Sequence, residues 1–303
     1  LRKFTLLAFF LTVFVGCHFS KSPIERTIVI HESSQTKGIL CDPGSSGTAV
    51  LLVGGSGPVD LDYTVEGVSL YAELAESLKE SSIASLRLEK GEGFPFKTIH
   101  EEWLEDIVYG LNYLKKRYER VILLGHSLSA IILPVFEDEA DGLILLAGAV
   151  SEVEEVYAQQ LMKSADEHEK KQIQNELDII LSLEEDHGFS WLGIPESWWI
   201  SLDQLHLKER LESMEKPVLV LAAGKDEQIN EDEYHAYQII LGYHPDAEFE
   251  IVENVNHFFI NEKKNHLDES FKEKVVSWIL KQSSGIMKER GAGNEKSNFN
   301  CGR

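Results

Sequence analysis

The residues best suited to chemistry lie in one short run, Arg120-Val-Ile-Leu-Leu-Gly-His-Ser-Leu-Ser129. An apolar stretch from Val121 to Leu124 breaks at Gly125 and presents His126, Ser127 and Leu128. An amphipathic segment then begins at Ser129-Ala130-Ile131-Ile132-Leu133. Strand, tight turn and helix form the context that a G-x-S-x-G nucleophile elbow requires. Here the fifth position is Ser129 instead of glycine. Alone, the pentapeptide is equally an ordinary strand-to-helix turn. A serine hydroxyl is a poor nucleophile until an imidazole takes its proton, so the chemistry depends on whether the chain also places a base and an acid.

Those partners must come from elements that converge on Ser127. Thr48 to Val53, Ile83 to Leu88, Val121 to Leu124, Asp141 to Ala147, Lys216 to Ala223 and Glu248 to Val252 read as strands. Most are continuous apolar runs, as strands buried on both faces are. Segments with helical spacing alternate with them: Val65 to Ser81, then the face Trp103, Ile107, Val108, Leu111 and Leu114, and a closing helix from Lys272 to Lys281. This rhythm predicts an α/β fold with a doubly wound, mostly parallel sheet. Thr27 to His31 and Gly38 to Cys41, joined by a polar loop, predict an antiparallel N-terminal hairpin at its edge. Residues 150–214 contain no buried-strand run and many helix formers, and they predict a helical cap insertion between two parts of the core, 27–149 and 215–283. The tryptophans of that cap, Trp191, Trp198 and Trp199, would either wall the site or pack the cap onto the sheet. The Gly-, Asn- and Lys-rich residues 284–303 predict an unstructured tail.

In such a sheet ligands bind at the carboxyl ends of the strands, and polar residues follow three of those ends. Gly54-Gly-Ser-Gly-Pro-Val-Asp60 follows the first core strand, Gly224-Lys-Asp226 the strand ending at Ala223, and Asn254-Val-Asn-His257 the last. Ser127, Asp226 and His257 thus occur in the chain order of a nucleophile, an orienting acid and a base. His257 could take the Ser127 proton near neutral pH, and Asp226 could fix its tautomer. The glycine loop would lend one oxyanion donor, the N–H of Ser56 or of Gly55, and the other would be the N–H of Leu128. A bland reading stands beside each of these. Asp226 could cap a helix over 227–241, with Glu227 as the substitute acid; His257 could be a packing histidine beside Phe258 and Phe259; Gly54 to Gly57 could cradle a phosphate, although it lacks G-x-G-x-x-G and no Gly-Lys-Ser/Thr follows. His126 reads as a structural neighbour, and His100, His187, His206, His235, His244 and His266 as surface residues.

Composition narrows the partners. The 303 residues carry a formal charge of −22, which argues against nucleic acid, whose binding needs a basic face. No Cys/His spacing suggests zinc, and no metal or organic cofactor is implied. Arg2-Lys3, an apolar run from Phe4 to Val15, and Gly16-Cys17 read as a signal peptide over 1–16. A polar tether over 17–26 would follow. The run resembles a bacterial lipobox, except that Phe14 stands where that motif prefers leucine or a small aliphatic. Cys17 is expected to carry a lipid that holds the exported protein to a membrane of the cell envelope. The alternatives are a plain signal peptide, which would leave the protein periplasmic or extracellular, or an uncleaved anchor. Cys41 and Cys301 are not expected to form a structural disulfide, because Cys301 lies in the tail.

Taken together, residues 27–282 resemble the α/β-hydrolase superfamily, and within it the bacterial esterases and acyl-peptidase-like serine hydrolases. The resemblance rests on the Gly54 to Asp60 loop, the elbow at Ser127, the order Ser127, Asp226, His257, and the turn Arg87-Leu-Glu-Lys-Gly-Glu-Gly93, which lacks an arginine expected after Lys90. It implies a small-molecule acyl substrate and an acyl-enzyme on Ser127. Ser129 in place of glycine implies a slightly shifted helix and lower activity; at the limit it implies a hydrolase fold with decayed chemistry that serves as a binding protein.

Overall fold

A computed structural model of the chain describes residues 24–90, 96–182, 185–261 and 263–297, with backbone only from 284. The expected leader, Cys17, the Gly91 to Gly93 part of the turn, and Cys301 lie outside the described residues. Eight strands form one sheet: β1 (Ile24–His31), β2 (Thr36–Asp42), β3 (Thr48–Val53), β4 (Ala84–Leu88), β5 (Arg120–His126), β6 (Gly142–Leu146), β7 (Val218–Ala223) and β8 (Ala247–Val252). Their spatial order is β1-β2-β4-β3-β5-β6-β7-β8. β2 runs antiparallel to both neighbours, and every other pairing is parallel. β3, β4 and β6 are buried at every residue; in β3 and β6 this follows from their nearly continuous apolar sequences, whereas β4 also buries Ser85 and Arg87.

Helices follow the strands: α1 (Leu70–Glu80), α2 (Glu105–Lys115), α3 (Leu128–Ile132), α4 (Val153–Met162), α5 (Glu167–Ile180), α6 (Glu196–Asp203), α7 (Leu207–Glu212), α8 (Glu231–Ile240) and α9 (Glu269–Ser297). From β3 the chain crosses through α1 to β4 on one side, then through α2 back to β5 on the other side of β3. Crossovers of this kind are right-handed, so α1 and α2 cover opposite faces. The reversal makes the carboxyl ends of β3 and β5 the topological switch point, where ligands bind in open α/β sheets. The glycine loop and Ser127 begin at those two ends. α4 to α7 form the helical insertion between β6 and β7. Glu233 of α8 pins its first residues: the carboxylate accepts from the N–H of Val150 at 2.7 Å and of Ser151 at 3.0 Å, and from Ser151 Oγ at 2.6 Å.

Three expectations change. β1 begins at Ile24, inside the expected tether, because Ile24, Glu25 and Arg26 pair with Asp42, Cys41 and Leu40, and the buried Arg87 reaches Glu25 at 2.7 Å. The expected helix from Val65 starts only at Leu70, because Thr64–Val65 and Val68–Ser69 pair as a small hairpin, turned by Gly67 at φ 82°. The closing helix does not stop near Lys281 but runs to Ser297, through residues expected to be unstructured. Phe271, Val275, Trp278 and Ile279 anchor its first turns in the core.

Candidate active site

Ser127 sits where β5 ends and α3 begins, with φ 57° and ψ −122°. Non-glycine residues seldom adopt positive φ, and here the sheet enforces it: the Ser127 N–H still donates to Leu146 of β6 at 2.9 Å while its carbonyl already accepts from Ile131. The turn is tight enough that a Cβ on Gly125 would come within 2.8 Å of the Ser129 carbonyl carbon and 2.9 Å of the Ala130 nitrogen. Only glycine fits there. Gly55 is equally constrained, since a Cβ on it would meet Ser127 Cβ at 3.1 Å and Tyr63 Oη at 2.8 Å.

Ser129 is buried at the base of the turn. Its hydroxyl accepts from the His126 N–H at 2.7 Å and donates to Val53 O at 2.8 Å. It therefore stitches the elbow to the end of β3 and needs no shifted helix. The argument from Ser129 for decayed chemistry loses its basis, and the glycine that the resemblance leads one to expect would leave the His126 N–H without an acceptor. Ser129→Ala and Ser129→Gly are each expected to cost about 1–3 kcal/mol, the penalty of orphaning a buried polar group. Urea unfolding checks this.

Asp226 and His257 meet at the ends of β7 and β8. His257 Nδ1 lies 2.7 Å from Asp226 Oδ2, and both side chains are buried. The other Asp226 oxygen accepts from the N–H groups of Gln228 at 2.8 Å and Ile229 at 2.9 Å, which fixes the carboxylate. Asp226 is thus not the cap of the following helix; that is Asn230, whose side chain accepts from Glu233 N. Ser127 and His257 line the same cavity. Among the described residues no hydrogen bond joins Ser127 Oγ to His257, a contact that commonly tightens only when substrate binds.

His126 ties the pieces together. Its Nε2 lies 2.9 Å from the His257 carbonyl and its Nδ1 2.8 Å from Tyr63 Oη. A carbonyl only accepts, so Nε2 carries the proton, Nδ1 accepts from the Tyr63 hydroxyl, and Tyr63 Oη accepts from the Gly55 N–H at 3.0 Å. The Gly55 N–H is spent on this chain, which leaves Ser56 N–H as the loop's available donor. Leu128, the first residue of α3, has no intrahelical partner for its N–H.

Burial, and to a lesser extent the neighbouring His257, pushes the His126 imidazole down to about 3. The folded protein keeps it neutral, whereas the unfolded chain protonates it below about 6.5. Stability from this group is therefore full above about pH 6.5 and falls as pH drops from there to about 3, by up to ~1.4 kcal/mol per pH unit. Between pH 7 and 5 the wild type is expected to lose ~2 kcal/mol more than His126→Gln in urea titrations. Glu154, held up to about 7 by burial, contributes with the opposite sign and cancels in that difference.

The cavity over Ser127 measures about 210 Å³. Its walls are Leu128, Ile131, Val153, Val156, Ile229 and Phe258. Ser56, Tyr157, Gln160 and Gln228 supply polar groups, and among the described residues no Lys, Arg, Asp or Glu lines it. The three cap tryptophans do not line it. They are buried against one another and the core, so packing, and not walling the site, is their role. Tyr63, Tyr157, Lys90 and Glu102 were not singled out by sequence, although all bear on this region.

Strand order, elbow and cavity at the switch point define the α/β-hydrolase fold. Comparison with known proteins agrees. Residues 200–282 match the dienelactone hydrolase family. The chain is 26% identical over 269 residues to esterase EstD of Thermotoga maritima, an alignment spanning 80% of this chain and 65% of that protein. It is similar to the structure of Est1E from Butyrivibrio proteoclasticus with ferulic acid bound, at a TM-score of 0.60 and 18% identity over 82% of this chain and 96% of that one. It is also similar to the Pyrococcus furiosus esterase Pf2001, at a TM-score of 0.55 and 17% identity over 86% of this chain and 91% of that one.

Proposed function

We propose that the protein is a serine hydrolase that cleaves small, uncharged carboxylic esters through an acyl-enzyme on Ser127. The observation that carries this reading is the buried Asp226–His257 pair at 2.7 Å, converging with the strained Ser127 on one cavity. His257 Nε2 takes the Ser127 proton as Oγ attacks the ester carbonyl. Asp226 holds Nδ1–H and stabilises the imidazolium. The N–H groups of Ser56 and Leu128 face the oxygen as it gains charge. When the tetrahedral intermediate collapses, His257 returns the proton to the leaving alcohol, and water repeats the cycle to release the acid. Esterase relatives support the ester over other acyl bonds.

The cavity sets the size and charge of the substrate. At about 210 Å³ it is smaller than the ~300–1,000 Å³ that hold drug-sized ligands. A carboxylate on the substrate would find no cationic partner there among the described residues. Short p-nitrophenyl esters are expected to exceed both long-chain and carboxylate-bearing esters in kcat/KM by at least ~10-fold; a preference for anionic esters or for aminoacyl amides contradicts the reading. The basic and apolar leader ending at Cys17 supports export and lipid anchoring. No helix among the described residues is long and apolar enough to cross a membrane. Metabolic lipid labelling that persists in Cys17→Ser, or a cytosolic wild type, contradicts the anchor.

A further inference from the structure

The peptide that offers the Ser56 N–H is gripped from behind. In a trans peptide the C=O of Gly55 and the N–H of Ser56 point in opposite directions, so whatever fixes one fixes the other. Tyr63 Oη holds the Gly55 N–H, and Lys90 Nζ donates to the Gly55 carbonyl at 3.3 Å. Lys90 lies just after β4, and its main chain pairs with Val59 of the same loop at 2.8 and 3.2 Å. Its ammonium is buried, stands 4.1 Å over the Trp103 ring, and pairs with Glu102 Oε1 at 2.6 Å. Burial lowers the Lys90 pKa, and the Glu102 carboxylate opposes that shift.

The grip extends into the cap. Glu102 Oε2 accepts from Trp198 Nε1 of α6 at 2.7 Å. A second thread reaches the same peptide from α4, where Tyr157 Oη donates to Ser56 Oγ at 2.8 Å. Tyr157 packs edge-on to Trp199, and Trp199 edge-on to Trp198, so both threads start from one aromatic block. A buried ion pair adds little net stability compared with apolar packing. One that ends on the carbonyl behind an oxyanion donor has another use.

We propose that Lys90 is a positioning residue that holds the Gly55–Ser56 peptide with the Ser56 N–H facing Ser127, and that Trp198, through Glu102, makes this grip depend on a docked cap. The inference rests on the serine-hydrolase reading. With the Lys90 ammonium gone, the peptide can rotate and the oxyanion loses part of one donor, while ground-state substrate binding is left nearly intact.

The test uses the full chain with Lys90→Met, the double variant Lys90→Met/Glu102→Gln, which avoids an unpaired buried carboxylate, and Trp198→Phe, which keeps the ion pair. Each is assayed on p-nitrophenyl butyrate and with an alkyl trifluoromethyl ketone, whose adduct with Ser127 places an oxyanion in the hole. For the Lys90 variants kcat is expected to fall ~10–10²-fold, below the 10²–10³ of losing a whole donor. KM should stay within about 3-fold, and the ketone's affinity should fall in step with kcat/KM. Trp198→Phe should show the same pattern at ~3–10-fold, a fraction of a full donor's loss. A cooperatively folded Lys90 variant with wild-type kcat and ketone affinity overturns the inference, as does a loss carried mainly by KM. If neither Lys90 variant folds, Trp198→Phe decides, and unchanged ketone affinity there overturns it. A wild type that neither hydrolyses the ester nor binds the ketone would instead sink the serine-hydrolase reading itself.

Discussion

Ser127→Ala is expected to lower kcat/KM for a short ester by ~10⁴–10⁶-fold while leaving the fold intact. The reason is chemical. The elbow holds Ser127 at φ 57° against the cavity that His257 also lines, where its Oγ is the group placed to attack. Ser56 is the other serine lining the cavity, but its oxygen already accepts from Tyr157 at 2.8 Å, and it sits on the side where the oxyanion must be held. Alanine has no difficulty with the backbone beyond what serine already meets, so the circular dichroism spectrum and urea midpoint should match the wild type. Residual activity above ~10⁻² of wild type would mean that another group attacks, because losing a true nucleophile costs several orders of magnitude.

The second large effect is expected for Asp226→Asn, a loss of ~10⁴-fold in kcat. The amide keeps the size of the carboxylate, and its carbonyl can still accept from Gln228 and Ile229. What changes is the oxygen facing His257. If the amide nitrogen faces Nδ1, it donates, and the imidazole must place its proton on Nε2, the atom that has to accept from Ser127. The negative charge that stabilises the imidazolium is gone in either orientation. Glu227, the other acid in the same turn, should not rescue, because Asp226 alone makes the 2.7 Å contact to His257. Steady-state kinetics on Asp226→Asn and Glu227→Gln separate the two acids: the first should be nearly inert and the second close to wild type. The reverse result would reassign the acid.

Much of this arrangement was legible in the sequence, for reasons that can be stated. Strands buried on both faces cannot alternate, so Thr48 to Val53 and Gly142 to Leu146 stand out as apolar runs. Because the core of the sheet is parallel, the loops leaving its strands collect at one edge, and the order Ser127, Asp226, His257 acquires meaning without any contact being known. The features that escaped depend on tertiary placement. Lys90 lies in the turn Arg87 to Gly93, whose glycines and missing arginine were all that the sequence offered; only the fold shows that its ammonium turns inward, over Trp103 and onto Glu102. Tyr63 closes a loop that carries Asp60 and Asp62, and gave no sign that its hydroxyl would join Gly55 to His126. Ser129 looked like damage to a motif because the motif records the need for a small residue, not the two hydrogen bonds that a hydroxyl could make there. The cap tryptophans could not be divided between wall and packing by spacing alone. In the tail, glycine content argued for disorder, yet local propensity of that kind is a weak prior against a helix already anchored at Phe271 and Trp278.

The central claim is a covalent one, that Ser127 carries the acyl group. The most direct measurement is the mass of the intact protein and of its peptides after treatment with a fluorophosphonate. The expected result is a single adduct, on the peptide containing Ser127, absent from Ser127→Ala and slowed in His257→Ala. A folded wild-type protein that takes up no phosphonate, or takes it up at a residue other than Ser127, would contradict the account.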